Sequence, residues 1–247
     1  MKLAGTTALV TGANRGLGRA FVEALRGAGC ARIYAGVRNA AGIAGDGIAG
    51  DGIVTPIKLD ITRADEVAAA ASRCMDVNVL INNAGVARFK PALGAPAMDD
   101  ARLEMKTNYF GTLAMCRAFA PVLKTNGGGA LVNMLSVVSF MNVPMQGSYS
   151  ASKAAEWSLT KAVRFELRAQ GTLVIGVYAG YIDTDMTTGI AGPKSSPAGI
   201  AARVIEGIED GTADILADQR SREVFDMLRR DDRGFDANMQ KLWDKAN

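Results

Sequence analysis

The chain has 247 residues, 28 Lys and Arg against 25 Asp and Glu, a formal net charge of +3, three cysteines and no histidine. So small an excess of charge argues against a basic nucleic-acid tail or an acidic solvating tail, and Cys30, Cys74 and Cys116 form no CxxC pair and no even-numbered disulfide framework. Without histidine, no Ser–His–Asp, Cys–His or His-ligated zinc mechanism can be built within one chain, so acid–base chemistry near neutrality falls to Tyr, Lys, Asp, Glu or Cys with shifted pKa values.

In chain order, apolar runs alternate with helical periodicity. Strands are expected at 7–10, 32–37, 53–59, 77–82, 130–135, 173–178 and 213–217, most of them apolar nearly throughout, as strands covered on both faces are. Helices are expected near 16–28, 63–74, 99–125, 148–170 and 197–209. The last begins with Ser196 as cap and Pro197 in the first turn, then carries an apolar stripe of Ile200, Val204, Ile205 and Ile208. The repeat GIAGDGIAGDGI at 42–53 interrupts this order. Each interior glycine costs a helix about 1 kcal/mol, so a short turn near 39–44 and an irregular loop are expected. Alternating βα units predict an α/β fold, a doubly wound Rossmann-type parallel sheet of seven strands with helices on both faces. No linker divides the chain, so 1–247 is expected to be a single domain, with a helical extension at 219–247. In that extension Phe235, Met239, Leu242 and Trp243 recur with helical spacing and make one apolar face. A lone helix of that length is marginal in water, so it should pack at an oligomer interface or over the rim of a site. The apolar stretch after Met1 is short and reads as a strand, and no run reaches the length of about 18 residues that crosses a membrane. A reducing cytoplasm fits the isolated cysteines.

TGANRGLG at 11–18 joins the first strand to the first helix, where a phosphate-binding turn belongs. Three further motifs accompany it: NNAG at 82–85 after the fourth strand, TNYFG at 107–111 inside a long helix, and YSASK at 149–153, thirteen residues after Ser136. On these motifs the chain resembles the short-chain dehydrogenase/reductase family in its compact form, over about residues 5 to 218. The resemblance implies a cofactor site made by Gly12, Asn14, Arg15, Gly16, Leu17 and Gly18, by Asp60 and Ile61 near the adenine, and by Asn82, Ala84 and Gly85 after strand four. It also implies cofactor contacts from Tyr149, Lys153, Gly180, Ile182 and Thr184.

An NAD-binding site commonly carries an acidic residue at the end of strand two. Here that strand ends AGVR, with Val37 near the place and Arg38 after it. Arg15 and Arg38 can clamp a 2′-phosphate through charge and forked donors, so NADP(H) is the expected cofactor. Tyr149 and Lys153, four apart, share a helix face. A nearby ammonium lowers a phenol otherwise near pKa 10. The resemblance implies Tyr149 as general acid and base, Ser136 on the substrate oxygen, Lys153 on the nicotinamide ribose, and Asn108 kinking its helix and holding a relay water.

The implied reaction is reversible reduction of a ketone or aldehyde, with oxidation as the working direction a possibility left open. Apolar positions flanking these residues, Val86, Phe89, Val138, Phe140, Met141, Val143, Met145, Tyr181, Met186 and Ile190, are expected to supply a pocket for an apolar or aromatic small molecule. A 3-oxoacyl-carrier-protein reductase and a silent NADP-sensing regulator are the alternatives. The family's usual proline before Gly180 is replaced by Ala179, which frees a φ angle and could loosen the loop. Asp183 and Asp185 read as solvated or capping residues, and no metal is expected. The resemblance also suggests a homodimer or homotetramer built on the long helices, with no nucleic-acid or membrane partner.

Overall fold

The computed structural model describes residues 1–39, 52–94, 98–230 and 232–246; the glycine repeat up to residue 51 and the turn expected near 39–44 lie almost wholly outside them. Seven parallel strands, β1 (Thr7–Thr11), β2 (Arg32–Val37), β3 (Val54–Lys58), β4 (Val79–Asn82), β5 (Ala130–Met134), β6 (Leu173–Tyr178) and β7 (Asp214–Leu216), form one sheet in the order β3-β2-β1-β4-β5-β6-β7. Order reverses between β1 and β4, and the crevice beyond the carboxyl ends of those strands is where such sheets bind ligands.

The unbroken apolar character of the strands has a direct cause. Side chains alternate across a strand, and here each face meets its own core. Ala8 and Val10 of β1, with Val79 and Ile81 of β4, pack against α1 (Gly16–Gly27) and α6 (Pro197–Asp210). Leu9 and Leu80, from the same strands, point the other way, toward α2 (Ala64–Arg73), α4 (Thr112–Thr125) and α5 (Gly147–Leu167). Phe21 on one side and Phe119 on the other are fully buried, and each burial contributes about 1.5–3 kcal/mol.

Helix α6 begins as expected: the Ser196 hydroxyl accepts from Gly199 N at 3.1 Å, Pro197 opens the first turn, and Ile200, Val204 and Ile208 are buried, with Ile205 packed against them. The run expected as one helix over 99–125 is in three parts. Between α3 (Asp99–Glu104) and α4 lies a π-helical stretch, Met105–Gly111, holding Asn108. Such wide turns in an α-helix are frequent at functional sites. The extension forms two helices, α7 (Gln219–Arg230) and α8 (Asp232–Ala246). Helix α7 inserts Val224 beside Val137 and Val138, with Met227 and Leu228 around them. All three cysteines are buried. Burial pushes the thiols of Cys74 and Cys116 up to about 12, so neither is a thiolate near neutrality.

Candidate active site

A cleft of about 990 Å³ opens at the carboxyl ends of β1, β4, β5 and β6. Its floor is laced together by hydrogen bonds between side chains and backbone. Thr11 Oγ1 accepts from Asn83 N at 3.0 Å and from Ala84 N at 2.9 Å, while Asn83 Nδ2 donates to Thr11 O at 2.9 Å. Two glycines explain the shape of the loop above it. Gly16 has φ +52, a conformation that side chains disfavour, and a Cβ on Gly18 would stand 2.0 Å from Gly12 O. Arg15 occupies the cap position of α1 but makes no side-chain cap, and the first turn holds no acidic residue. The first N–H groups of α1 therefore face the cleft with the positive end of the helix behind them, which is the electrostatics an anion requires.

Gly12, Asn14, Arg15, Gly16, Leu17, Gly18, Arg38, Asp60, Ile61, Ala84, Gly85, Gly180, Ile182 and Thr184 all line this cleft, as does Val37. Asp60 accepts from Thr62 N at 2.9 Å and Thr62 Oγ1 at 2.7 Å. Burial alone would raise its carboxyl; those hydrogen bonds, with Arg38 and Lys106 nearby, hold it below the usual range. Among the expected cofactor residues, one is placed elsewhere. Asn82 does not line the cleft: it is buried, and its Nδ2 donates to Asn133 Oδ1 at 2.9 Å, inside the sheet. Asn83, next in the chain, takes the place on the wall.

Ser136 follows β5 and caps a short 3-10 turn, its Oγ accepting from Val138 N at 3.3 Å. Tyr149 stands on α5, close enough to Ser136 for that hydroxyl to lower its phenol. Lys153, one turn on, is 6% exposed and donates to Met134 O and Glu156 Oε2, each at 2.7 Å. All three residues line the cleft. Burial pushes the Tyr149 phenol up; Lys153 pulls it down as expected and Ser136 with it, but Glu156 and Glu104 push it up, and the balance lies above the ordinary tyrosine value rather than below it. Asn108 does not reach the cleft wall itself. It is fully buried, its Nδ2 donating to Val86 O and to Ser152 Oγ at 2.9 Å each, and its Oδ1 accepting from Val86 N at 2.9 Å. The π-helical stretch is thereby tied to both α5 and the chain after β4.

Beyond Tyr149 the cleft turns apolar. Val86, Phe89, Val138, Met141, Val143, Tyr181 and Met186 line it. Phe140, Met145 and Ile190 do not. Phe140 turns away to stack on Tyr178, with ring centroids 4.6 Å apart, and also packs on Trp157 and Phe225. Met145 is 44% exposed at φ +65. Gln146 and Arg220 line the cleft without having been picked out for it, and Met239 and Leu242 of the tail's apolar face line it as well, the rim position expected as one of two for that face. Gln146 Nε2 donates to Tyr181 Oη at 2.7 Å. The loop after β6 is held despite Ala179: Ala179 O accepts from Val137 N at 3.1 Å, Gly180 N donates to Asp218 Oδ2 at 2.9 Å, and Ser195 N to Tyr181 O at 2.8 Å.

The profile of the family described as short chain dehydrogenase matches residues 6–194. A curated 3-oxoacyl-[acyl-carrier-protein] reductase of Synechocystis sp. is 33% identical over 192 residues, 75% of this chain and 77% of that protein. A galactitol 2-dehydrogenase (L-tagatose-forming) of Cereibacter sphaeroides is 36% identical over 193 residues, 75% of each chain. Among solved structures, a short chain dehydrogenase from Burkholderia cenocepacia in complex with NADP superposes with a TM-score of 0.92 at 40% identity, covering 97% of this chain and 99% of that one.

Proposed function

The chain belongs to the short-chain dehydrogenase family, and within it we propose an NADPH-dependent oxidoreductase that reduces a ketone or aldehyde of an apolar or aromatic small molecule to the alcohol, reversibly. The observation that carries this reading is the meeting of Ser136, Tyr149 and Lys153 on the wall of the cleft that the glycine loop opens.

The residues present suit a dinucleotide. The uncapped start of α1 and the space above Gly16 and Gly18 suit its phosphates, Asp60 and Ile61 its adenine side, and Lys153 and Gly180 its nicotinamide side. The Burkholderia protein, 40% identical to this chain, was solved in complex with NADP, which supports this choice. Arg15 and Arg38 on the same wall, with no carboxylate at the end of β2, favour a 2′-phosphate. When bound, the cofactor supplies the hydride or takes it back.

The chain's own residues manage the proton. The Ser136 hydroxyl donates to the carbonyl oxygen and orients it. The Tyr149 phenol, kept protonated by burial, delivers its proton to that oxygen as the alcohol forms, and takes one back in oxidation. Lys153 keeps a positive charge beside the phenol and stabilises the phenolate left behind. Val138, Met141, Val143 and Met186 exclude water around the reacting carbon, and methionine walls adapt to varied shapes.

The intact Ser136, Tyr149 and Lys153 set disfavours a silent sensor. Similarity to 3-oxoacyl-carrier-protein reductases keeps that substrate class as the second reading. A homodimer or homotetramer is supported by Phe110 and Phe165, which stand 57% and 77% exposed on the long helical elements. Among the described residues no helix is long and apolar enough to cross a membrane. NADPH and NADH oxidation followed in parallel over a panel that includes aryl ketones, aldehydes and 3-oxoacyl thioesters tests the reading; turnover of none of them, or only with NADH, overturns it.

A further inference from the structure

Helix α5 buries a charge where its pattern calls for an apolar residue. Ser152, Glu156, Leu159 and Val163 follow one another at helical spacing on the inward face, and Glu156 is 1% exposed. Its two oxygens are both engaged: Oε2 accepts from Lys153 Nζ at 2.7 Å and Oε1 from Thr112 Oγ1 of α4 at 3.2 Å. An ammonium has three N–H donors. Met134 O and Glu156 Oε2 take two of those of Lys153, which leaves one for the cleft. Gly85 of the cleft wall is close by: a Cβ added to it would stand 3.8 Å from Nζ.

We propose that Glu156 is a positioning residue for the reacting pair: its buried carboxylate fixes where the Lys153 ammonium stands and neutralises its charge, biasing Tyr149 toward the protonated, proton-donating phenol. The proposal rests on the reading of Tyr149 and Lys153 as the reacting pair. Burial pushes the Glu156 carboxyl up, while Lys153 and the Thr112 hydroxyl pull it down and favour the carboxylate; with Glu156 ionised, the phenol, ammonium and carboxylate together carry no net charge. Without it they carry one positive charge in a buried place, and a proton leaves more readily. Tyr149 and Lys153 titrate as one coupled system, so this holds whichever of them releases the proton.

The other groups facing them do not replace Glu156. Glu104 of α3 also raises the Tyr149 phenol, but its oxygens are held by Arg88 N at 2.7 Å and Ser148 Oγ at 2.6 Å. Ser136 faces the phenol as a neutral hydroxyl, and Cys116 of α4 faces Glu156 as a neutral thiol. Burial alone would lower the Lys153 ammonium; Glu156 and Tyr149 outweigh it and hold it above its ordinary range.

Glu156→Gln keeps the shape and removes the charge, since its amide oxygen still accepts from Lys153 and the Thr112 hydroxyl can turn to accept from the amide. The readout needs no cofactor: near-ultraviolet phenolate absorbance is titrated in each protein, with the corresponding Tyr149→Phe protein as blank. The Tyr149–Lys153 proton should leave about one pH unit or more lower in Glu156→Gln, and the acid limb of alcohol oxidation should move down with it. Glu156→Ala should move the same way, and Thr112→Val, which keeps the charge, should move neither. Unchanged titration in both Glu156 variants overturns the proposal. So does a protonated-carboxyl stretch for Glu156 in the unmodified chain at neutral pH, read by isotope-edited infrared spectroscopy. Retained turnover in Tyr149→Phe instead overturns the reading of the pair itself.

Discussion

Arg15 Nη1 lies 2.6 Å from Asp185 Oδ2, joining the glycine loop to the loop after β6 across the mouth of the cleft. Both side chains are mostly exposed, at 66% and 70%, and an exposed pair of this kind contributes about 0–1 kcal/mol. The pair closes over the cleft without holding it firmly.

A 2′-phosphate gripped by Arg15 must therefore share or displace Asp185, whereas Arg38 meets Asp60 only as a nearby charge. Arg38→Ala should raise the NADPH KM about tenfold or more, since a hydrogen bond to a charged group contributes roughly 1.5–3 kcal/mol. Arg15→Ala should raise it less. Asp185→Asn should lower it modestly, by freeing Arg15. NADH kinetics should hardly change in any of them. The check is the NADPH to NADH ratio of kcat/KM in each variant; a ratio unmoved by both arginine changes refutes the clamp.

The phenol of Tyr149 is held above its ordinary value, so it keeps its proton through neutral pH. Carbonyl reduction needs that proton and should be flat across neutrality, falling only on the alkaline side. Alcohol oxidation needs the deprotonated pair and should rise with pH over the same alkaline range. Profiles of kcat/KM in both directions test the sign. Reduction that already falls with rising pH in the acid range would falsify it.

The tail contributes Met239 and Leu242 to the cleft wall, well apart from the glycine loop in sequence. Deleting residues 233–247 should raise KM for apolar carbonyl substrates several-fold and leave NADPH binding unchanged. Steady-state kinetics beside an NADPH binding isotherm separates the two effects. Equal loss of both would mean that the tail supports the fold as a whole.

The alternation of strands and helices was legible because each strand divides its side chains between two cores, as Leu9 and Val10 do. The glycine loop, Ser136, Tyr149 and Lys153 were legible for a different reason: each motif is local in the chain. What the sequence hid is not local. Asn82 and Asn83 are adjacent and identical, and only the pleat decides which faces the cleft. Phe140 reads as a pocket residue by position but finds Tyr178, Trp157 and Phe225 instead. Arg220 arrives from a helix whose placement periodicity does not fix, and for Met239 and Leu242 periodicity marked the apolar face but not whether it meets a second copy or the cleft. The π-helical stretch around Asn108 leaves no mark on apolar spacing. Glu156 did leave one, a charge on the inward face of α5, and that signal could have been read.

The central claim is that Tyr149 carries the proton for carbonyl chemistry in this cleft. Its most direct test is single-turnover reduction in Tyr149→Phe, beside NADPH binding by the same protein. The change removes one hydroxyl and little volume. Positioned general acid catalysis contributes about 10²–10⁴-fold, so the rate should fall by that order while NADPH affinity stays as it was. A rate close to that of the unmodified chain, across several ketones and aldehydes, would contradict the account.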